Sequence, residues 1–188
     1  MRIVAVSGSP RKNGNTDLIL KEALSSAKEE GAEISLIRIC DYELKPCSAC
    51  ASCFETKKCI IDDDCEKLYG ELVAADGIIL GSPSYFQGVT AQMKIFIDRI
   101  GYLGLARGRN DFAGKVGGVI AVARRSGVAS TCSQMLALLT AMRITIPGGG
   151  RVFAIAREKG EVMKDKEGVE TAKYLGKMLV KLAKTRSE

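Results

Sequence analysis

The chain of 188 residues carries 28 Lys and Arg against 22 Asp and Glu, a formal net charge of +6, and is 46 % hydrophobic and 27 % charged. That is the profile of one ordinary globular domain, expected over 1–188, which at roughly this length buries about 70 % of its unfolded surface and needs no disulfide or metal in order to fold. The chain has no histidine, which excludes His-ligated zinc, Ser-His-Asp and Cys-His catalysis and any imidazole proton relay.

No apolar run approaches the roughly 20 residues that span a bilayer, and Met1 leads straight into a strand with no signal-peptide pattern, so a cytoplasmic location and no membrane span are expected. Thiols stay reduced in that compartment. The seven Cys therefore point to metal binding or redox chemistry before a disulfide frame. Basic residues are scattered and aromatics few, which argues against a nucleic-acid partner.

In chain order, Arg2 to Val6 reads as a strand, followed by the turn Ser7-Gly8-Ser9-Pro10-Arg11-Lys12-Asn13-Gly14-Asn15-Thr16. Leu18, Ile19, Ala23, Leu24 and Ala27 then recur at helical spacing until Gly31. Ile34 to Ile39 is a second strand. Residues 41–61 form a polar, cysteine-rich stretch without periodicity. Asp62, Asp63 and Asp64 precede a helix carrying Leu68, Leu72 and Val73, where acidic side chains suit the exposed N–H groups and the positive dipole end. Gly77 to Leu80 is a third strand, and the loop from Gly81 to Gly88 leads to a helix with Met93, Phe96, Ile97 and Ile100 on one face.

A connector over about Gly101 to Gly114 is expected before Val116 to Val122, a near-continuous β-branched run suited to a strand buried on both faces. After Ala123-Arg124-Arg125-Ser126-Gly127 come a helix over Ser130 to Met142, a strand over Arg151 to Ala156 and a helix over Val169 to Leu182. Strands and helices alternate five times, which predicts an α/β fold with a doubly wound parallel sheet. Ligands then bind beyond the carboxyl ends of the strands, so the loops after strands one, three and four carry the chemistry.

The first of these loops sets hydroxyls, amides and the Arg11 charge on a Gly-containing turn that enters a helix. Such a turn suits an anion, because free N–H groups and the helix dipole both favour negative charge. Neither the lysine-containing triphosphate loop nor the G-x-G-x-x-G dinucleotide pattern is present, so a monophosphate is the expected anion. A plain turn with an N-cap at Asn15 or Thr16 accounts for the same residues.

Ser7-Gly8-Ser9-Pro10-Arg11 with Asn15-Thr16, Gly81-Ser82-Pro83-Ser84-Tyr85-Phe86, and Met93-Lys94 through Phe96-Ile97-Asp98-Arg99 together resemble the flavodoxin-like NADPH-dependent FMN reductase superfamily. The resemblance implies a five-stranded sheet of order 2-1-3-4-5 and bound FMN. Carried onto this sequence, Ser9, Arg11, Asn13, Asn15 and Thr16 take the phosphate, with Ser7 and Pro10 in the same loop. Pro83, Ser84, Tyr85, Phe86 and Gly88 line the ring, where Tyr85 and Phe86 can stack on it or simply pack. Arg124, Ser126 and Gly127 close the other side. Arg124 and Arg125 depart from the family's Gly-rich loop, and a cation there either stabilises reduced flavin or is only surface charge.

Cys47-x2-Cys50-x2-Cys53-x5-Cys59 places four thiols in thirteen residues. Four thiolates so spaced can wrap an iron–sulfur cubane. Zinc is the rival, although it more often takes two separated Cys pairs, and idle or redox-active thiols are the third reading. The motif, inserted after strand two of an FMN-binding domain, is similar to the iron–sulfur flavoproteins. That likeness implies a [4Fe-4S] cluster on Cys47, Cys50, Cys53 and Cys59, electrons from a ferredoxin-like donor, a small acceptor such as quinone, oxygen or peroxide, and a homodimer or homotetramer. A cluster-free FMN or quinone reductase taking hydride from NAD(P)H is the alternative, and a zinc-stapled binding protein a further one. Cys40, Cys65 and Cys132 stand outside the set and are given no role; the last two are expected in first turns of helices.

Overall fold

The computed structural model describes residues 1–185. β1 (Arg2–Ser7), β2 (Glu33–Arg38), β3 (Gly77–Pro83), β4 (Val116–Ala123) and β5 (Arg151–Ile155) form one sheet of order β2-β1-β3-β4-β5, with every pairing parallel. This is the flavodoxin-like order. All eight residues of β4 are buried, as its apolar run requires of a strand covered on both faces.

Alternation along the strands separates two cores. Ile3, Ala5, Ile79, Ile120, Val122 and Val152 face α1 (Asn15–Glu29) and α6 (Lys166–Thr185). Val4, Val6, Ile78, Leu80, Val119 and Ala121 face α3 (Cys65–Val73), α4 (Ala91–Ala106) and α5 (Val128–Ala141). The sheet order reverses at β1, between β2 and β3, so the loops after β1 and β3 diverge and leave a crevice there.

Several boundaries differ from the sequence reading. The loop 41–61 contains α2 (Ser52–Thr56), a short helix that no periodicity could announce in five residues. β3 runs on through Pro83, because Ser84 N–H donates to the Val122 carbonyl and holds the chain beside β4. α4 continues through Gly101 and Gly104 to Ala106; Gly104 is kept small by Met142, whose sulfur lies 2.5 Å from where a Cβ would stand. α1 begins at Asn15 with Gly14 as its N-cap and no side-chain cap, so neither Asn15 nor Thr16 is the cap. Cys65 does open α3, whereas Cys132 lies one turn inside α5.

α1 and α6 pack closely enough to exclude a side chain. A Cβ at Gly176 would overlap the Ala23 carbonyl oxygen, while nothing lies within 4 Å of one at Gly70 on α3. In urea unfolding, Gly176→Val is expected to cost about 1–3 kcal/mol by overpacking. Gly70→Ala should raise stability by roughly 0.5–1 kcal/mol; equal effects of the two changes would contradict this packing.

Candidate functional site

A crevice of about 240 Å³ opens at the carboxyl ends of the strands, lined by Ser9, Arg11, Gly14, Asn15 and Thr16 after β1, Pro83, Ser84 and Tyr85 at β3, Val122 to Arg124 at β4, and Ala156 and Arg157 after β5. A buried carboxylate shapes the first of these loops. Asp17 has no exposed side-chain surface; it accepts the Ser7 hydroxyl at 2.5 Å, the Asn13 N–H at 2.8 Å and Arg38 Nε at 3.0 Å. The Asn13 bond holds that residue at φ 53°, a left-handed conformation asparagine tolerates. Ser9 Oγ accepts the Arg11 N–H at 3.2 Å, and a Cβ at Gly14 would meet the Arg11 carbonyl oxygen at 2.9 Å. The loop thus folds tightly on itself, with the first N–H groups of α1 lacking intrahelical partners and Arg11 beside them.

The loops are tied together beneath the crevice. Thr90, the N-cap of α4, donates to the Gly8 carbonyl at 2.7 Å and accepts the Met93 N–H, while its own N–H donates to Ser82 Oγ at 3.2 Å. Tyr85 and Gly88 bridge each other across a tight turn whose central residues, Phe86 at φ 48° and Gln87 at φ 71°, are both left-handed. Gln87 Nε2 donates to Ser126 Oγ at 3.2 Å. Ser84 Oγ is buried without a hydrogen-bond partner and lies so close to Gly127, at φ 92°, that a Cβ there would collide with it. The hydroxyls of Ser9 and Thr16, the Arg11 charge and the N-terminus of α1, gathered at one end of the crevice, fit a ligand that carries a phosphate.

The structure brings Ser9, Arg11, Thr16, Pro83, Ser84, Tyr85 and Arg124 to the crevice wall. It gives other positions other work. Ser7 Oγ is buried on Asp17, and Pro10 and Asn13 lie outside the lining, where Asn13 Oδ1 accepts Lys21. Asn15 lines the crevice, but its amide donates to the Glu158 carbonyl at 2.8 Å and accepts the Gly160 N–H at 2.7 Å, clamping the loop after β5. Phe86 is fully exposed at its turn tip, and Gly88 packs against Gln134. Asp17 and Arg157 were not among the sequence candidates; Asp17 carried a readable signal, being one turn before Leu20 on the buried face of α1.

The cysteines line a separate cavity of about 130 Å³. Cys47, Cys50, Cys53 and Cys59 share it with small and apolar neighbours including Ala49, Ala51, Phe54, Ile60 and Leu103, and with Arg99. Ala49, Ala51 and Lys57 all adopt left-handed φ between 56° and 60°, which turns the chain inward around the thiols. Each such residue costs of order 1 kcal/mol. The sulfurs ring the space without converging: among the described residues no three Cys, Asp or Glu are close enough to hold a single metal ion. A cavity several times the roughly 30 Å³ share of a water, walled by four thiols and no carboxylate, fits a polynuclear sulfide cluster better than a lone zinc.

The electrostatics of that cavity favour thiolates unevenly. The Ser52 hydroxyl and N–H lower the pKa of exposed Cys50, whereas burial and then the neighbouring Cys59 raise that of Cys53. Burial pushes Cys65 and Cys132 up to about 12, which keeps both protonated, and neither lines the cavity. At the wall, Arg99 pairs with Asp63 through Nη1 at 2.6 Å and Nη2 at 2.9 Å, with side-chain exposures of 1 % and 0 %. Burial raises the Asp63 pKa, but the Arg99 bonds and the N–H groups of Lys45 and Cys65 outweigh it and hold the carboxyl below its ordinary range.

The model of the family described as NADPH-dependent FMN reductase matches residues 1–158. An iron–sulfur flavoprotein of Methanocaldococcus jannaschii is 38 % identical over 98 % of this chain and 98 % of its own length. One from Archaeoglobus fulgidus is 35 % identical over 96 % and 98 %. Among solved structures, an archaeal flavodoxin superposes with a TM-score of 0.66 at 16 % identity, covering 98 % of this chain and 99 % of its own, which speaks to the fold alone. With family residues matched across most of the sheet and homology running nearly end to end, the chain belongs to the NADPH-dependent FMN reductase family and, within it, to the iron–sulfur flavoproteins.

Proposed function

We propose that the chain is an FMN-dependent oxidoreductase that carries electrons from a ferredoxin-like donor, through a [4Fe-4S] cluster in the cysteine cavity, to FMN in the strand-end crevice and on to a small acceptor such as quinone, oxygen or peroxide. The observation that carries the reading is the pairing, in one chain, of a phosphate-suited loop with four thiols that line a second cavity. FMN, when bound, supplies the exchange between one- and two-electron chemistry, and a cluster supplies single electrons.

The residues then divide the work. Arg11, the α1 N–H groups and the hydroxyls of Ser9 and Thr16 hold the phosphate, whose charge suits the helix terminus. Pro83 and Ser84 line the ring's seat, and Tyr85, about half exposed, flanks it. Arg124 sets a cation at the rim, which favours an electron-rich flavin. Cys47, Cys50, Cys53 and Cys59 are the cluster ligands. No side chain need act as acid or base, in keeping with a chain that has no histidine.

Direct hydride transfer from NAD(P)H is the second reading, supported by the family's description, and it needs no cluster. A homodimer or homotetramer accords with the exposed Phe153 and Ile155 on the sheet-edge strand β5. No helix among the described residues is long and apolar enough to cross a membrane.

Cys50→Ser should remove iron and slow ferredoxin-coupled flavin reduction while FMN stays bound. Iron content equal to that of the parent protein would reject the ligand assignment. Asp17→Asn removes the charge that fixes Ser7 and the Asn13 N–H. It should weaken FMN at least tenfold, about 1.4 kcal/mol, in a fluorescence titration, with a stability loss of about 1–3 kcal/mol. Unchanged FMN affinity would mean that this loop does not hold the phosphate.

A further inference from the structure

We propose that Arg99 is a positioning residue of the cysteine cavity, and that its guanidinium N–H bond to the Cys59 sulfur raises the reduction potential of the cluster held there; the inference rests on the cluster reading above. Arg99 projects from α4, a core helix, and is the only arginine among the described residues that line the cavity. Both of its Nη nitrogens are engaged. Nη1 donates to the Lys45 carbonyl at 2.6 Å and to Asp63 Oδ2 at 2.6 Å; Nη2 donates to Asp63 Oδ1 at 2.9 Å and to Cys59 Sγ at 3.3 Å. Asp63 in turn accepts the N–H of Lys45 at 2.9 Å and of Cys65 at 3.0 Å. One buried pair thereby joins the entry to the cysteine loop, its last thiol and the start of α3.

Stability alone is a poor reason for such a pair. Desolvation consumes most of the attraction between two buried charges, and apolar side chains of equal volume commonly serve as well or better. What apolar residues cannot supply is a donor aimed at sulfur. Because the planar fork is fixed at its other contacts, the Nη2 proton facing Cys59 has no freedom to turn away. Hydrogen bonds to ligand sulfurs and nearby charge are two of the levers that set a cluster's potential. A donor withdraws charge from the sulfur and favours the state holding one more electron, while the Asp63 carboxylate opposes it. The step stays a simple one: a single electron arrives from the ferredoxin-like donor, and no bond in the chain forms or breaks.

A purely structural clamp and a tuning clamp predict different responses. R99K keeps the charge but loses the fork and the aimed N–H; D63N removes the opposing charge and keeps the guanidinium. Potentiometric titration followed by electron paramagnetic resonance should show the reduction equilibrium constant falling about tenfold in R99K, about 59 mV for one electron, and rising in D63N. On anoxically purified, iron-assayed protein labelled with 15N-arginine, pulsed electron–nuclear double resonance of the reduced cluster should resolve a 15N coupling, absent in R99K. Iron-loaded parent protein without that coupling, or shifts of one sign in both variants, would overturn the inference. Should R99K fail to hold iron, the coupling in the parent protein decides alone. A parent protein without iron would overturn the cluster reading itself, and this inference with it.

Discussion

A carboxylate withdrawn from water must be met by donors, and two such carboxylates organise this chain around its sites. Asp17 and Asp63 both have fully buried side chains, and an isolated charge in either place would cost several kcal/mol. Each is answered by one arginine and by at least one backbone N–H of the loop it serves. Asp17 gathers Ser7, Asn13 and Arg38, so the turn after β1 has one shape available to it. Asp63 gathers Arg99, Lys45 and Cys65, so a stretch with little regular structure closes into a walled cavity. The requirement that buried charge be satisfied does in the loops what apolar packing does in the sheet.

α4 connects the two places. Its N-cap, Thr90, is bonded to the Gly8 carbonyl under the crevice, and Arg99 on the same helix faces Cys59. Nine residues of helix separate them, about 13 Å along the axis. Met93, Phe96 and Ile100 anchor that helix in the core, each with at most 1 % of its surface exposed. A rigid element thus fixes the floor of the strand-end crevice and the wall of the cysteine cavity relative to each other, without relying on the cysteine loop itself. For electron transfer, where position and electrostatics are the protein's contribution, that arrangement matters more than any single reactive side chain.

The sheet was legible because its signals are local and redundant: the β-branched run of β4, the helical spacing of Ile19, Ala23 and Ala27, the Gly-rich breaks between them. The strand order followed from resemblance, since periodicity cannot say which strands are neighbours. Site residues were legible by type but not by direction. Asn15 is legible as a residue of the first loop, but its amide's closure on Glu158 and Gly160, 143 and 145 positions away, is not. Phe86 is legible as an aromatic of the loop after β3, but the left-handed turn that leaves it exposed is not. Such partners are distant in sequence and leave no periodic trace. Arg99 and Asp17 left a fainter mark, a charge in phase with the buried face of a helix. A charge so placed must find a partner away from water: Asp17 finds Arg38 at the end of β2, and Arg99 finds Asp63 in the loop before α3.

Four thiols in one short loop are proposed to hold a redox cluster in a chain that also binds FMN. Iron, acid-labile sulfide, zinc and FMN measured per chain on protein purified without oxygen test it most directly, with the visible spectrum as a check. About four irons, four sulfides and one FMN are predicted. FMN without iron would contradict the account and leave the hydride-accepting reductase in its place; zinc without iron would make the cysteine loop a structural staple.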